Sequence, residues 1–204
     1  MTRLLLVRHG NTTLNSAERF WGQTDVALSE EGTWQAEQLR DRLAGDTIDT
    51  IYASPLSRAL TTAEIIALPH QREIIPCPEL REIDFGEIEG LAYAEINERY
   101  PDFARQLADW HARPRFPGGE SHDELNQRVL QFLPRLEQHH TGETVLIVAH
   151  SGPLRLMICN IMQMAMHYWR QLRMGLASLS VLDTYPQGAI LNRLNDISHL
   201  EKRR

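Results

Sequence analysis

Aliphatic residues fall in two unbroken runs, Leu4-Leu5-Leu6-Val7 near the amino terminus and Val145-Leu146-Ile147-Val148 much later. Runs of four are too short for ordinary helices, and their lack of alternation predicts strands buried on both faces, as in a parallel sheet. Weaker strands are predicted at 48–53, 74–75, 176–183 and 189–194, the last two joined through the turn signal Tyr185-Pro186-Gln187-Gly188. Helical spacing dominates between them. Ala36, Leu39 and Leu43 follow a Ser29 cap, with Glu30 and Glu31 in the first turn and Gly45 placed to stop the helix. Ser54 is the predicted cap of the next helix, which takes Pro55 in its first turn and runs to Leu68. Leu125, Val129, Phe132 and Leu136 follow the capping box Ser121-His122-Asp123-Glu124, and Pro134 predicts a kink or an early end. A further helix is expected from Leu154. This alternation predicts an α/β fold, a three-layer α/β/α sandwich on a mostly parallel sheet.

The middle of the chain departs from that rhythm. Tyr93 to Trp110 is helical and aromatic, with Pro101 opening a second helix, and Arg113 to Gly119 is a loop. Residues at about 80–120 are therefore expected to form a cap insertion over the carboxyl ends of the strands, within a single domain spanning 1–204. Ahead of them, Glu79-Leu80-Arg81-Glu82-Ile83-Asp84-Phe85-Gly86-Glu87-Ile88-Glu89-Gly90 carries a charge density usual for a solvated loop. Its glycines and aromatic point to a defined path instead.

Composition narrows the class of partner. With 204 residues, 42% hydrophobic and 24% charged, the chain has the makings of an ordinary folded domain. A net charge of −6 argues against a broad nucleic-acid or anionic-membrane surface, so any bound anion must meet a local positive cluster. Cys77 and Cys159 form no CxxC pair and read as small core residues in a reducing cytoplasm. No stretch has the length of a membrane span, and no metal or other cofactor is called for.

The candidate chemistry lies where the two aliphatic runs end. The first runs into Arg8-His9-Gly10 and the second into His150-Ser151-Gly152. Ligands of open α/β sheets bind at the carboxyl ends of strands, so two imidazoles would stand together on one rim. Gly10 is read as giving a sharp turn and room for a bound group. Arg58, in the first turn of its helix, opposes the helix dipole, which makes a bound anion the better reason for a cation there. Each feature alone has a bland reading, a solvated arginine or a hydrogen-bonded loop histidine. Together they suit a phosphate dianion, which guanidinium groups pair in bidentate fashion.

Leu6-Val7-Arg8-His9-Gly10, Ser54-Pro55-Leu56-Ser57-Arg58-Ala59-Leu60-Thr61-Thr62-Ala63, the Glu82 loop and Val148-Ala149-His150-Ser151-Gly152 together resemble the histidine phosphatase superfamily, in its phosphoglycerate-mutase-like branch. The resemblance spans nearly the whole chain. It implies a phosphatase in which His9 is the nucleophile, Arg8, Arg58 and His150 hold the phosphoryl oxygens, and Glu82 is the proton donor, with Asp84 as a rival acid. It further implies Asn15 and Ser151 as substrate-binding residues. Asn11 departs from the glutamate or glutamine of many relatives. Within the family the pattern is most similar to the α-ribazole phosphatase group, which implies a small phosphomonoester from cobalamin assembly as substrate. Broad-specificity sugar-phosphate or phosphoglycerate phosphatase, phosphoglycerate mutase and a non-catalytic phosphate-binding module remain the alternatives, and a homodimer is left open. Substrate choice is expected in the cap, from Tyr93, Tyr100, Trp110, His111, Arg113, Arg115 and Phe116.

Overall fold

The computed structural model describes residues 1–14, 19–109 and 112–201. Among them, strands β1 (Thr2–Arg8), β2 (Thr50–Ala53), β3 (Ile74–Pro76), β4 (Thr144–Ala149), β5 (Leu179–Tyr185) and β6 (Gly188–Asp196) form one sheet in the order β3-β2-β4-β1-β5-β6. The first four strands of that order are parallel, and β5 pairs antiparallel with both β1 and β6. The helices are α1 (Glu30–Leu43), α2 (Ser57–Ala67), α3 (Tyr93–Arg99), α4 (Pro101–Ala108), α5 (His122–Leu136) and α6 (Ser151–Ile161).

Strand periodicity divides the aliphatic runs between two cores. Leu4, Leu6, Val145 and Ile147 meet Leu125, Val129 and Phe132 of α5 and Leu154 of α6. Leu5, Val7, Leu146 and Val148 meet Leu39 and Leu43 of α1 and Ala59, Ala63 and Ile66 of α2. The result is the three-layer α/β/α arrangement, with a mixed sheet. Between β3 and β4 runs the inserted segment, whose α3 and α4 deliver Ile96, Phe103 and Ala104 to the first of these cores. The charge-dense loop is no solvated excursion: it contains 3-10 turns at Pro78–Leu80 and Gly86–Ile88, and it buries Leu80, Ile83 and Ile88.

Several local expectations change. Helix α2 is capped at Leu56 without a side-chain bond, and Asp25 Oδ1, from a distant loop, accepts from Ser57 N at 2.7 Å in place of the expected Ser54. Pro134 does not end α5, which continues to Leu136; the carbonyl that loses its partner belongs to the exposed Leu130, within reach of water. His139 is largely buried between Tyr52 Oη at 3.1 Å and Glu143 Oε2 at 2.8 Å. Helix α6 begins at Ser151, three residues before the expected start.

Gly10 has a packing reason that the sequence does not show. A Cβ there would stand 2.5 Å from the Gly32 carbonyl oxygen, and one on Gly32 would stand 1.9 Å from that of Asn11. The two glycines let the exit of β1 lie directly against the first turn of α1. Gly32→Ala should therefore lower unfolding free energy by about 1–3 kcal/mol, the range of overpacked sites, in a urea titration. A change below about 0.5 kcal/mol would mean that the two backbones separate freely.

Candidate active site

The register of three parallel strands builds the centre of the site. Arg8 lies opposite Ala149 and Ala53 opposite Val148, so His9, His150 and Ser54 leave adjacent strand ends together. The His9 and His150 rings stand 5.0 Å apart between centroids, tilted by 58°. His9 Nδ1 lies 2.7 Å from the Gly10 carbonyl oxygen. A carbonyl only accepts, so Nδ1 carries the proton of the neutral ring and the lone pair is on Nε2. His150 Nε2 meets Ser54 Oγ at 2.8 Å, and its buried Nδ1 has no protein partner among the described residues.

Both rings are held neutral. Burial, followed by the charges of Arg8 and Arg58, pushes His9 well below 6.5, and burial together with His9 and the same arginines does so for His150. Burial lowers Arg8 to about 10 and lowers Arg58 too, yet both remain cations at neutral pH.

Those cations are anchored by neutral acceptors. Arg8 Nη1 donates to the Met174 carbonyl at 2.7 Å, and Arg58 donates to the carbonyls of Thr24 at 2.9 Å and Gly22 at 2.5 Å. Arg3, Arg42 and Arg128, by contrast, pair with Asp183, Asp196 and Glu120. Arg8 and Arg58 thus keep their charge available to an anion.

Glu82 completes the group. Its Oε1 accepts from Ile83 N at 3.0 Å and from Gly152 N, in the first turn of α6, at 3.1 Å. A Cβ on Gly152 would stand 2.3 Å from that oxygen, so only glycine lets α6 start so close to the carboxylate. The rival acid, Asp84, instead accepts from Gly86 N at 2.8 Å within its own loop. Glu82 borders two cavities. One, of about 30 Å³, is lined by Arg8, His9, Thr12, Trp21, Val26 and Arg58 besides it. The other, of about 510 Å³, presents Phe20, Phe85, Tyr93, Phe116 and Trp169, with Ser151 and Arg155 beside Glu82.

His9, Arg8, Arg58 and Glu82 are thus brought to one small cavity, with His150 against His9 and Ser151 in the larger cavity. Asn15, Trp110 and His111 lie outside the described residues. Of the other cap residues, Tyr93 and Phe116 reach the larger cavity. Tyr100 does not, because its hydroxyl donates to Glu87; Arg113 and Arg115 are drawn away to Asp123 and Glu124. Asn11 Nδ2 donates to Glu31 at 2.8 Å, beside the cluster. Sequence reasoning missed Ser54 as the partner of His150, along with Trp169 and Arg155. Trp169, flanked by Arg155 and Arg170 at 5.6 and 5.7 Å from its ring, lies beyond α6 in a stretch that carries no motif. Among the described residues, no group of three His, Cys, Asp or Glu side chains is placed to hold a metal, and no helix is long and apolar enough to cross a membrane.

Comparisons with known proteins meet this geometry. The sequence profile of the histidine phosphatase superfamily (branch 1) matches residues 4–197. Phosphoserine phosphatase 1 of Hydrogenobacter thermophilus is 35% identical over 201 residues, covering 98% of this chain and 95% of that protein. The metal-independent phosphoserine phosphatase of Arabidopsis thaliana is 35% identical over 203 residues, covering 98% and 84%. Among solved structures, the α-ribazole phosphatase from Shigella flexneri superposes with a TM-score of 0.87 at 30% identity, over 95% of this chain and 96% of that one.

The neutral histidines set a direction for stability. Their folded values lie below 6.5, so the unfolded chain takes up protons first as pH falls through 6.5, and stability present above that pH is lost below it. Each ring should account for a loss of about 1.4 kcal/mol per pH unit. Urea unfolding at about pH 7.5 and about pH 5.5 should show the decline, reduced by about 1.4 kcal/mol in His150→Asn. An equal decline in that variant would mean that His150 titrates as a free imidazole.

Proposed function

The chain belongs to the histidine phosphatase superfamily and is a phosphatase, and from that premise we propose that it hydrolyses a phosphomonoester through phosphorylated His9. The observation that carries the mechanism is the position of Glu82 between the two cavities. The phosphoryl group occupies the small one, between Arg8 and Arg58, with His150 Nδ1 free to donate to it. His9 Nε2 attacks phosphorus while the bond to the leaving oxygen breaks, and protonated Glu82 gives that oxygen its proton. The positive charge that develops on the His9 ring is met by the Gly10 carbonyl through Nδ1–H. The carboxylate of Glu82 then takes a proton from water, which attacks phosphorus, breaks the P–N bond and releases phosphate. Fixed donors around the phosphoryl oxygens act where charge shifts in the transition state. The two arginines supply the positive charge a metal would otherwise bring, so activity should survive a chelator.

The leaving group lies in the larger cavity beneath the inserted segment, which serves as the cap. Its five aromatic rings favour a flat, largely apolar body, and a volume near 510 Å³ is in the range that encloses small ligands. We assign α-ribazole 5′-phosphate, or the related adenosylcobalamin 5′-phosphate, as the substrate that fits best, with Ser151 and Asn15 as binding residues. A second reading rests on Arg155, which carries no hydrogen bond or ion pair among the described residues, is depressed by burial and faces the same cavity. A small carboxylated phosphomonoester such as phosphoserine or 3-phosphoglycerate would give it an anion.

Phosphate release from a panel of these esters and p-nitrophenyl phosphate separates the readings. The mechanism requires loss of turnover in His9→Ala and trapping of an acid-labile, base-stable phosphoenzyme in the parent protein. Glu82→Gln should lower kcat/KM for alkyl esters by about 10²–10⁴-fold and that for p-nitrophenyl phosphate much less, because nitrophenolate leaves without a proton. Gly152→Ala should mimic it by displacing the carboxylate. A preference of kcat/KM for phosphoserine or 3-phosphoglycerate over α-ribazole 5′-phosphate would select the second reading. Turnover that persists without His9 would overturn the mechanism.

A further inference from the structure

Arg58 donates to a stretch of backbone whose other side is held by a carboxylate that it does not touch. Glu89 follows the turn Gly86–Ile88, in the loop between β3 and α3. Its Oε1 accepts from Gly22 N at 3.0 Å and Gln23 N at 2.9 Å, and its Oε2 accepts from Gly22 N at 3.1 Å and Thr24 Oγ1 at 2.8 Å. The carbonyls of Gly22 and Thr24 turn the other way and receive the two terminal nitrogens of Arg58. One short stretch of backbone therefore donates to a carboxylate on one side and accepts from a guanidinium on the other.

We propose that Glu89 is a positioning residue for phosphoryl transfer, acting through the 22–24 backbone to aim Arg58 at the phosphoryl group. The proposal rests on the reading of His9 and Arg58 as the phosphoryl site and is independent of the leaving group. Three features support it. The stretch is tied at its flanks, by Gly90 N to the Phe20 carbonyl at 2.8 Å and by Ser57 Oγ to the Val26 carbonyl at 3.1 Å, so only its middle depends on Glu89. Gly22 sits where a Cβ would stand 2.1 Å from the Ile83 carbonyl oxygen and 2.5 Å from Glu89 Oε1, so the close approach is built into the sequence. Finally, a direct Arg58–Glu89 ion pair would neutralise the cation, whereas a relay through carbonyls fixes the guanidinium and leaves its charge for the substrate.

The substitution Glu89→Gln keeps size and one acceptor oxygen but turns an NH₂ group towards the loop's donors. With Arg58 present it should lower kcat/KM for p-nitrophenyl phosphate, and vanadate affinity, by about tenfold or more. Lysine cannot span both carbonyls, so in an Arg58→Lys background the same change should have less than about a twofold further effect. Thr24→Ala, which deletes one contact to Glu89, should show a smaller loss with the same dependence on Arg58. Equal fractional losses in both backgrounds, or none with Arg58 present, would overturn the proposal, because a purely structural carboxylate acts alike in each. Activity that does not depend on His9 would instead remove the premise, and the two failures are told apart by the His9→Ala control.

Discussion

The parallel pairing of β1 with β4 is the constraint on which the rest of the site depends. It sets Arg8 against Ala149, and His9 N closes the ladder on the Ala149 carbonyl at 3.0 Å. The two histidines then leave the sheet side by side. Both strands are apolar on both faces, so the hydrophobic pattern does less to fix their register than it would in a half-solvated sheet. Polar groups at the opposite end of the strands contribute that information. Arg3 N donates to the Glu143 carbonyl, and Asp49 both donates to the Thr144 carbonyl and accepts from Thr144 N through its side chain. The geometry of the catalytic end is therefore held partly from about twenty ångströms away, the length of a six-residue strand.

Electrostatics set the second condition. A phosphate site needs positive charge that is fixed, dry and unspent, and those demands conflict, because a buried cation is destabilising unless something pairs with it. The chain resolves the conflict with carbonyl oxygens. Among the described residues Arg8 and Arg58 donate to carbonyls and form no ion pair, with the Glu82 carboxylate acting on both from a distance, while their field, added to burial, keeps His9 and His150 neutral. A neutral His9 has the lone pair that a nucleophile needs. In the proposed mechanism, the cations that attract the phosphate also prepare the group that attacks it.

What was legible in the sequence follows from this division of labour. Strand ends announce themselves, because an aliphatic run broken by Arg-His-Gly or His-Ser-Gly is a local pattern; the sandwich, the helix order and the capping box of α5 were read from equally local signals. Contacts made between distant loops leave no such mark. Asp25 caps α2 from some thirty residues away, Ser54 Oγ meets His150 besides Leu56 N at the entry to α2, and Gly10 lies hard against Gly32. Glu82 could be placed only by resemblance: its loop has the charge density of a solvated segment, and Leu80, Ile83 and Ile88, which turn it inward, are too few to show a period.

The two halves of the site differ in how they are built, and that difference bears on substrate choice. The phosphoryl half stands on strand ends and the first turns of helices, which packing in both cores holds rigid. The leaving-group half draws Phe20, Phe85, Tyr93, Phe116 and Trp169 from separate loops and short helices. Substitutions there change the shape of the cavity without disturbing the β1–β4 ladder, so one catalytic centre can serve many phosphate esters across a family. Glu82 is the exception, since it borders both halves. Its carboxylate is fixed by Ile83 N and Gly152 N and not by any aromatic wall residue. In the proposed mechanism the proton passes from the rigid half to the variable half, which keeps the chemistry constant while the leaving group is free to change.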